Sequence, residues 1–213
     1  MRFDALYSLL EVRLHDGAVL PGPNAQAFMA PMQERRNPTL IDPHGKACRH
    51  AAVLMLLYGD GEGSARFALT QRPDTMREHS GQISFPGGRI EDGETALEAA
   101  LRETEEEVGV VVPLDAVVGS LSGLYIPPTR FCVTPFVAAL RERPAYLLNR
   151  VEVARLIEAS VADLLNPNTV KSTVRHIRGV DFDVPYFALD GHEVWGATAM
   201  MLAEFRAVLL QDA

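Results

Sequence analysis

The stretch FPGGRIEDGETALEAALRETEEEVGV, Phe85–Val110, constrains this chain more than any other. A glycine pair leads to a turn, a helix start and a dense run of glutamates, and Gly109 with Pro113 supplies the stop. Thr95-Ala96-Leu97-Glu98 has the spacing of a capping box, with Thr95 as N-cap and Glu98 reaching back to it. From there Leu97, Ala100, Leu101, Thr104 and Val108 fall on one stripe at helical spacing, which is expected to be buried. At about 100° per residue, Glu103, Glu106 and Glu107 cluster on one flank of that stripe. Glu98 and Glu105 fall on the other. Like charges three and four residues apart cost about 0.2–0.5 kcal/mol per pair. A divalent cation offsets that repulsion, and hard carboxylate oxygens suit Mg²⁺ or Mn²⁺. Arg102, beside the trio, is placed to orient a carboxylate.

The rest of the chain frames this segment. Phe3, Leu6, Leu10 and Leu14 predict a short N-terminal helix. Five prolines between Pro21 and Pro43 predict an extended, irregular wrap. His50–Tyr58 and Ala65–Arg72 read as strands joined by the Gly59–Ser64 turn, and Gly81–Phe85 as a short extended lead-in. Leu114–Leu124 and Phe131–Leu140 read as strands, Val151–Arg155 as a short strand and Val161–Leu165 as a short helix. Thr173–Val180 and Phe182–Leu189 read as a late strand pair ahead of an Asp190-Gly191 turn, and Trp195–Leu210 as a C-terminal helix with a broad apolar face. The expectation is an α+β fold, with residues 1–45 a helix and wrap packed on a domain spanning 46–213.

Composition excludes several classes. The net charge of −8 argues against a nucleic-acid binder, which needs a basic footprint. It leaves room for a small anionic ligand held by a metal and local arginines. No apolar run reaches membrane-spanning length and the N-terminus lacks a secretory pattern, so neither a membrane nor export is expected and the cytoplasm is the expected location. Cys48 and Cys132 fit neither a zinc pattern nor a disulfide framework, and buried free thiols are expected.

Gly88, then Glu94, then Arg102-Glu103-Thr104-Glu105-Glu106-Glu107-Val108-Gly109-Val110 resembles the Nudix box, G-x5-E-x7-R-E-U-x-E-E-x-G-U with U aliphatic. The departure is Thr104 at the first aliphatic position. Upstream, Leu69-Thr70-Gln71-Arg72, Arg77, Gly81 and Phe85-Pro86-Gly87-Gly88 resemble the added signature of the coenzyme A pyrophosphatase branch, L-L-T-x-R-[SA]-x3-R-x3-G-x3-F-P-G-G. This chain departs from it at Ala68 and Pro73. Val194–Ala199, VWGATA, also looks like that branch, so the resemblance runs from about His50 to about Leu210.

The resemblance implies a Nudix fold, a mixed β-sheet sandwiched between α-helices. It implies Mg²⁺ or Mn²⁺ held by Glu103, Glu106, Glu107 and the Gly88 carbonyl, with Glu94 and Arg102 as supports. Glu152 resembles a glutamate outside the box that some members use as base or extra ligand, and a surface acid is the alternative. Glu106 or Glu152 would deprotonate the attacking water. Arg72, Arg77, His79 and Gly81 are the candidate substrate contacts, with paired guanidinium donors suited to phosphates. The expected reaction is hydrolysis of coenzyme A, or a derivative, to 3′,5′-ADP and 4′-phosphopantetheine. The alternatives are a Nudix pyrophosphatase for ADP-ribose or another nucleoside diphosphate derivative, and a non-catalytic nucleotide-binding module. The expected partner is a small nucleotide, and a homodimer is kept as an expectation.

Overall fold

The computed structural model describes residues 1–15, 17–74, 81–177 and 179–211. Its spine is β1 (Arg49–Gly59), which carries the apolar run Ala51–Tyr58. β1 runs parallel to β7 (Phe131–Leu140) over ten residue pairs, from Arg49↔Phe131 to Tyr58↔Leu140. The end of β1 pairs antiparallel with β2 (Ala65–Gln71) through the expected hairpin. Asp60 fastens that turn, its Oδ1 accepting the amides of Glu62 and Ser64 at 3.0 and 2.8 Å. β3 (Ile83–Ser84) and β8 (Arg155–Ser160) extend from β2. β4 (Gly87–Arg89) pairs with the first half of β1, and β5 (Val117–Ser120) and β6 (Leu124–Ile126) with β7. Among the described residues these make one mixed eight-stranded sheet. A second sheet, in the order β11-β10-β9, holds β9 (Val170–Ile177), β10 (Val180–Leu189) and β11 (His192–Trp195).

Helices cover both faces of the large sheet. α4 (Ala96–Val108) lies on Ala52, Leu54, Leu56 and Ala138. On the opposite face Met55, Leu57, Phe67 and Val137 meet α1 (Phe3–Arg13) and α6 (Gly196–Leu210). The alternation of β1 side chains supplies both cores, as its two-residue period requires. Short helices α2 (Gly22–Gln26), α3 (Met32–Arg36) and α5 (Val161–Leu165) complete the fold.

Three expectations need correction. Residues 21–43 are not an extended wrap: they form α2, α3 and two 3₁₀ turns at Ala27–Met29 and Pro38–Leu40. Pro23 and Pro38 sit in first turns, where the fixed φ of proline starts a helix instead of preventing one. The expected strand at Val151–Arg155 is displaced: residues 151–154 form a turn and bend, and the strand begins at Arg155. Cys48 and Cys132 are not free thiols but a disulfide joining the starts of β1 and β7. The parallel register brings their Cα atoms to 5.7 Å, within bridging range, and no local pattern in the sequence announces it.

The N-terminal segment is part of the main core. Phe3, Leu6, Leu10 and Leu14 are buried in it. Its anchor is Glu204 on α6, fully buried. Glu204 Oε1 accepts the amides of Gly22 at 3.0 Å and Ser122 at 3.2 Å, and Oε2 accepts Gln26 Nε2 at 2.8 Å. Glu204→Ala takes the acceptor from the Gly22 and Ser122 amides, at roughly 1–3 kcal/mol for each unsatisfied group, while Gln26 Nε2 keeps the Ser122 carbonyl at 3.0 Å. Urea unfolding should therefore show a loss of about 3 kcal/mol, whereas Ala207→Ser on the same helix should change little. No described helix is long and apolar enough to cross a membrane.

Candidate active site

The local chemistry of the loop and helix builds the site. β4 brings Gly88 opposite Ala52 of β1. A Cβ at Gly87 would overlap the Ala52 carbonyl, so that position requires glycine for close approach, whereas a Cβ at Gly88 would push aside the Glu103 carboxylate. The capping box forms as expected: Thr95 Oγ1 accepts the Glu98 amide at 3.2 Å and Glu98 Oε2 accepts the Thr95 amide at 2.7 Å. Such a cap is worth about 1 kcal/mol. Gly109 ends α4 in the left-handed conformation, its amide on the Glu105 carbonyl at 2.8 Å. Thr104, the departure from the family pattern, is buried and donates to the Ala100 carbonyl at 2.7 Å.

Arg102 is the hub. Its Nε and Nη2 grip both oxygens of Glu94 at 3.1 and 2.9 Å. Its Nη1 reaches Glu103 Oε1 at 3.0 Å and Glu106 Oε2 at 3.2 Å, and Nη2 also donates to the Arg89 carbonyl at 3.2 Å. Glu94 in turn accepts the Glu91 amide at 2.7 Å. The Arg102 bonds hold the Glu94 carboxyl below the ordinary glutamate range.

The trio separates by burial. Glu106 keeps 55% of its side chain exposed. Glu103 is half-buried, and burial pushes its carboxyl up against the pull of Arg102. Glu107 is 5% exposed and lies within the buried stripe rather than beside it, next to Thr104 and Val108. The stripe runs through Ala99 and Ala100, and Leu97 and Leu101 are only partly buried. Burial pushes the Glu107 carboxyl up to about 8, repulsion from Glu103 and Glu152 adding to it and attraction to Arg72 opposing it. Glu107 Oε2 is buried with no hydrogen-bond partner among the described residues.

Two distant residues reach this cluster. Glu152 places its charge against both Glu103 and Glu107. Arg72, just past β2, donates its amide to the Gln82 carbonyl at 3.0 Å, and its charge acts on Glu107. Arg72 Nε is buried without a hydrogen-bond partner among the described residues. Gly81 is left-handed, φ 66°, against Asp74. Arg77 and His79 lie outside the described residues.

Sequence reasoning missed Asn149. Its amide donates to the Glu107 carbonyl at 3.0 Å, and its Nδ2 donates to Glu152 Oε1 at 3.2 Å. Its carbonyl accepts the amides of Glu152 and Val153, and its Oδ1 accepts that of Val151 at 3.1 Å. An asparagine three residues before an acid, after a proline-bounded loop, was the only available signal.

Among the described residues, no three carboxylate, imidazole or thiol side chains converge closely enough to hold an ion in this conformation. In this conformation Arg102 Nη1 pairs with both Glu103 and Glu106. The donor chemistry nevertheless fits a hard divalent cation. Glu107 presents a buried oxygen with nothing to pair with, and two further carboxylates repel it.

The site is thus a glycine loop feeding a glutamate-rich helix, packed on a mixed sheet that lies between helices. The NUDIX domain model matches residues 49–172, more than half of the chain. The chain is 32% identical over 155 residues to an uncharacterized Nudix hydrolase, NudL, of Yersinia pestis (strain Pestoides F), covering 72% of this chain and 76% of that protein. The corresponding NudL of Yersinia pseudotuberculosis matches equally. The fold is similar to a MutT/nudix family protein of Enterococcus faecalis, with a TM-score of 0.55 and 16% identity over 88% of this chain and 73% of that one. The chain therefore belongs to the Nudix family and is a Nudix hydrolase, an enzyme class acting on nucleoside diphosphate derivatives and generally using divalent metal ions.

Proposed function

We propose that this enzyme hydrolyses the pyrophosphate of coenzyme A or a derivative of it, giving 3′,5′-ADP and 4′-phosphopantetheine. The observation that carries the reading is the position of Arg72. It belongs to the segment that resembles the coenzyme A signature, its charge acts on Glu107, and its Nε is unspent among the described residues. A guanidinium there can receive a substrate phosphate next to the carboxylates.

In this reading Glu103, Glu106, Glu107 and the Gly88 carbonyl hold Mg²⁺ or Mn²⁺, which supplies positive charge to offset that of the pyrophosphate. Glu103 and Glu106, which share Arg102 Nη1, would have to leave it to hold an ion, and Arg102 would still grip Glu94 with Nε and Nη2. Glu152 or Glu106 takes the proton of the attacking water. Water adds to one phosphorus, the bridging P–O bond breaks, and both products leave as phosphomonoesters. Arg72 would hold the phosphates, and Arg77 and His79, outside the described residues, keep their sequence-based assignment as further substrate contacts.

Asn149 sets the carboxylate of Glu152. Asn149→Asp keeps the Oδ1 acceptor for Val151 but loses the Nδ2 donor and adds a like charge. It should lower kcat about 10–100-fold, with the melting temperature within a few degrees of the parent. Steady-state kinetics and a thermal melt, run in parallel, check this.

Incubation with coenzyme A, ADP-ribose and a nucleoside triphosphate in Mg²⁺ tests the substrate. Preferred cleavage of coenzyme A to the two phosphomonoesters is expected. Fast ADP-ribose turnover with coenzyme A untouched would overturn the reading. The cytoplasm is the location proposed with it, and there the Cys48–Cys132 pair would meet a reducing environment.

A further inference from the structure

An arginine cluster lies on the face of the sheet opposite α4. Arg49 of β1 stacks on Phe131 of β7, its guanidinium 4.2 Å from the ring centroid, and Arg89 of β4 stands 5.5 Å from the same ring. The registers Arg49↔Phe131 and Ala51↔Arg89 put all three side chains on one face. Arg130, which precedes Phe131, adopts the left-handed conformation at φ 53°, where a bulky side chain is strained and a glycine or asparagine is not. All three arginines are exposed, and none makes an ion pair among the described residues, although the chain carries a net charge of −8.

The cluster is fixed in place. Arg49 Nη2 donates to the Thr129 carbonyl at 2.8 Å and its amide to the Arg130 carbonyl at 2.9 Å. The Cys48–Cys132 disulfide ties the residues next to Arg49 and Phe131. It also adjoins the site. Arg89 follows Gly88, which lies against Glu103, and the Arg89 carbonyl accepts Arg102 Nη2 at 3.2 Å.

We propose that Arg49 and Arg89, backed by Phe131, form a second anion site that receives a phosphomonoester carried by the substrate away from its pyrophosphate. Two unpaired guanidiniums side by side match a dianion and offer the paired donors a phosphate takes. A nucleic-acid backbone is a poor occupant, because the surrounding protein is acidic. The inference deepens the coenzyme A reading, since the 3′-phosphate of that nucleotide is such a group, but it is tested without turnover.

Isothermal titration of 3′,5′-ADP and of 5′-AMP into the full-length protein separates the outcomes. The wild-type protein is expected to bind 3′,5′-ADP at least tenfold more tightly than 5′-AMP. The Arg49→Gln/Arg89→Gln variant should lose that advantage and keep its affinity for 5′-AMP. Arg49→Lys, which preserves charge without the fork, should fall between. Equal affinity of the wild type for the two nucleotides, a measurement independent of any variant, would overturn the site. So would an equal loss of both nucleotides in the double variant. If coenzyme A is not cleaved but the 3′-phosphate preference vanishes in the variant, the anion site stands and the substrate assignment falls. If coenzyme A is cleaved with one KM by wild type and variant, the converse holds.

Discussion

Glu107→Gln is expected to abolish turnover and, in the metal-free protein, to raise stability at alkaline pH. The activity loss should be on the order of 10³-fold in kcat, as for removal of a group that stabilises transition-state charge. The stability gain follows from burial. Glu107 titrates near 8 in the folded protein against an ordinary value of 4.5, so between those values the folded state binds a proton that the unfolded state has released. Stability from this group is complete below pH 4.5, falls by about 1.4 kcal/mol per pH unit and is lost as pH passes 8. Glutamine carries no such proton, so in chelator the variant should unfold at higher urea than the parent at pH 8.5 and lose the advantage near pH 5. A variant less stable than the parent at pH 8.5 would mean that the Glu107 carboxylate is compensated in the fold by groups other than an ion.

Arg102→Lys is the second large effect. Lysine keeps the charge but cannot hold Glu94 with two donors while reaching Glu103, Glu106 and the Arg89 carbonyl with others. Outer partners of metal-holding carboxylates typically contribute 10–100-fold to affinity or activity. Arg102 serves two of the carboxylates and the loop as well, so about a 100-fold loss in kcat/KM is expected. The lysine variant should also weaken Mn²⁺ binding, read by electron paramagnetic resonance. An unchanged Mn²⁺ affinity with lowered turnover would assign Arg102 to the substrate instead.

What was legible in the sequence is what is local. The capping box at Thr95 and Glu98, the stop at Gly109, the exposed Glu105 and the β1–β2 hairpin all depend on residues within a few positions of one another, and all are present. The helical projection placed Glu103, Glu106 and Glu107 together but set Glu107 at the edge of the buried stripe. Tertiary packing against β1 and β4 turned it inward. The unread features depend on register between distant strands. Cys48 meets Cys132, and Arg49 meets Phe131, only because β1 and β7 run parallel in one alignment. Asn149 gains its meaning from the Glu107 carbonyl. Glu204, a charge on an otherwise apolar helix, makes sense only once the Gly22 and Ser122 amides are beside it. β11 was missed because four residues after a turn carry too short a pattern to separate from the helix that follows.

The central claim is that the box carboxylates hold the metal. Mn²⁺ titration of the full chain, followed by electron paramagnetic resonance in the wild type and in Glu103→Gln and Glu107→Gln, tests it most directly. At least one bound ion per chain is expected in the wild type, with an affinity about tenfold or more weaker in each variant. Equal Mn²⁺ affinity in all three proteins would contradict it.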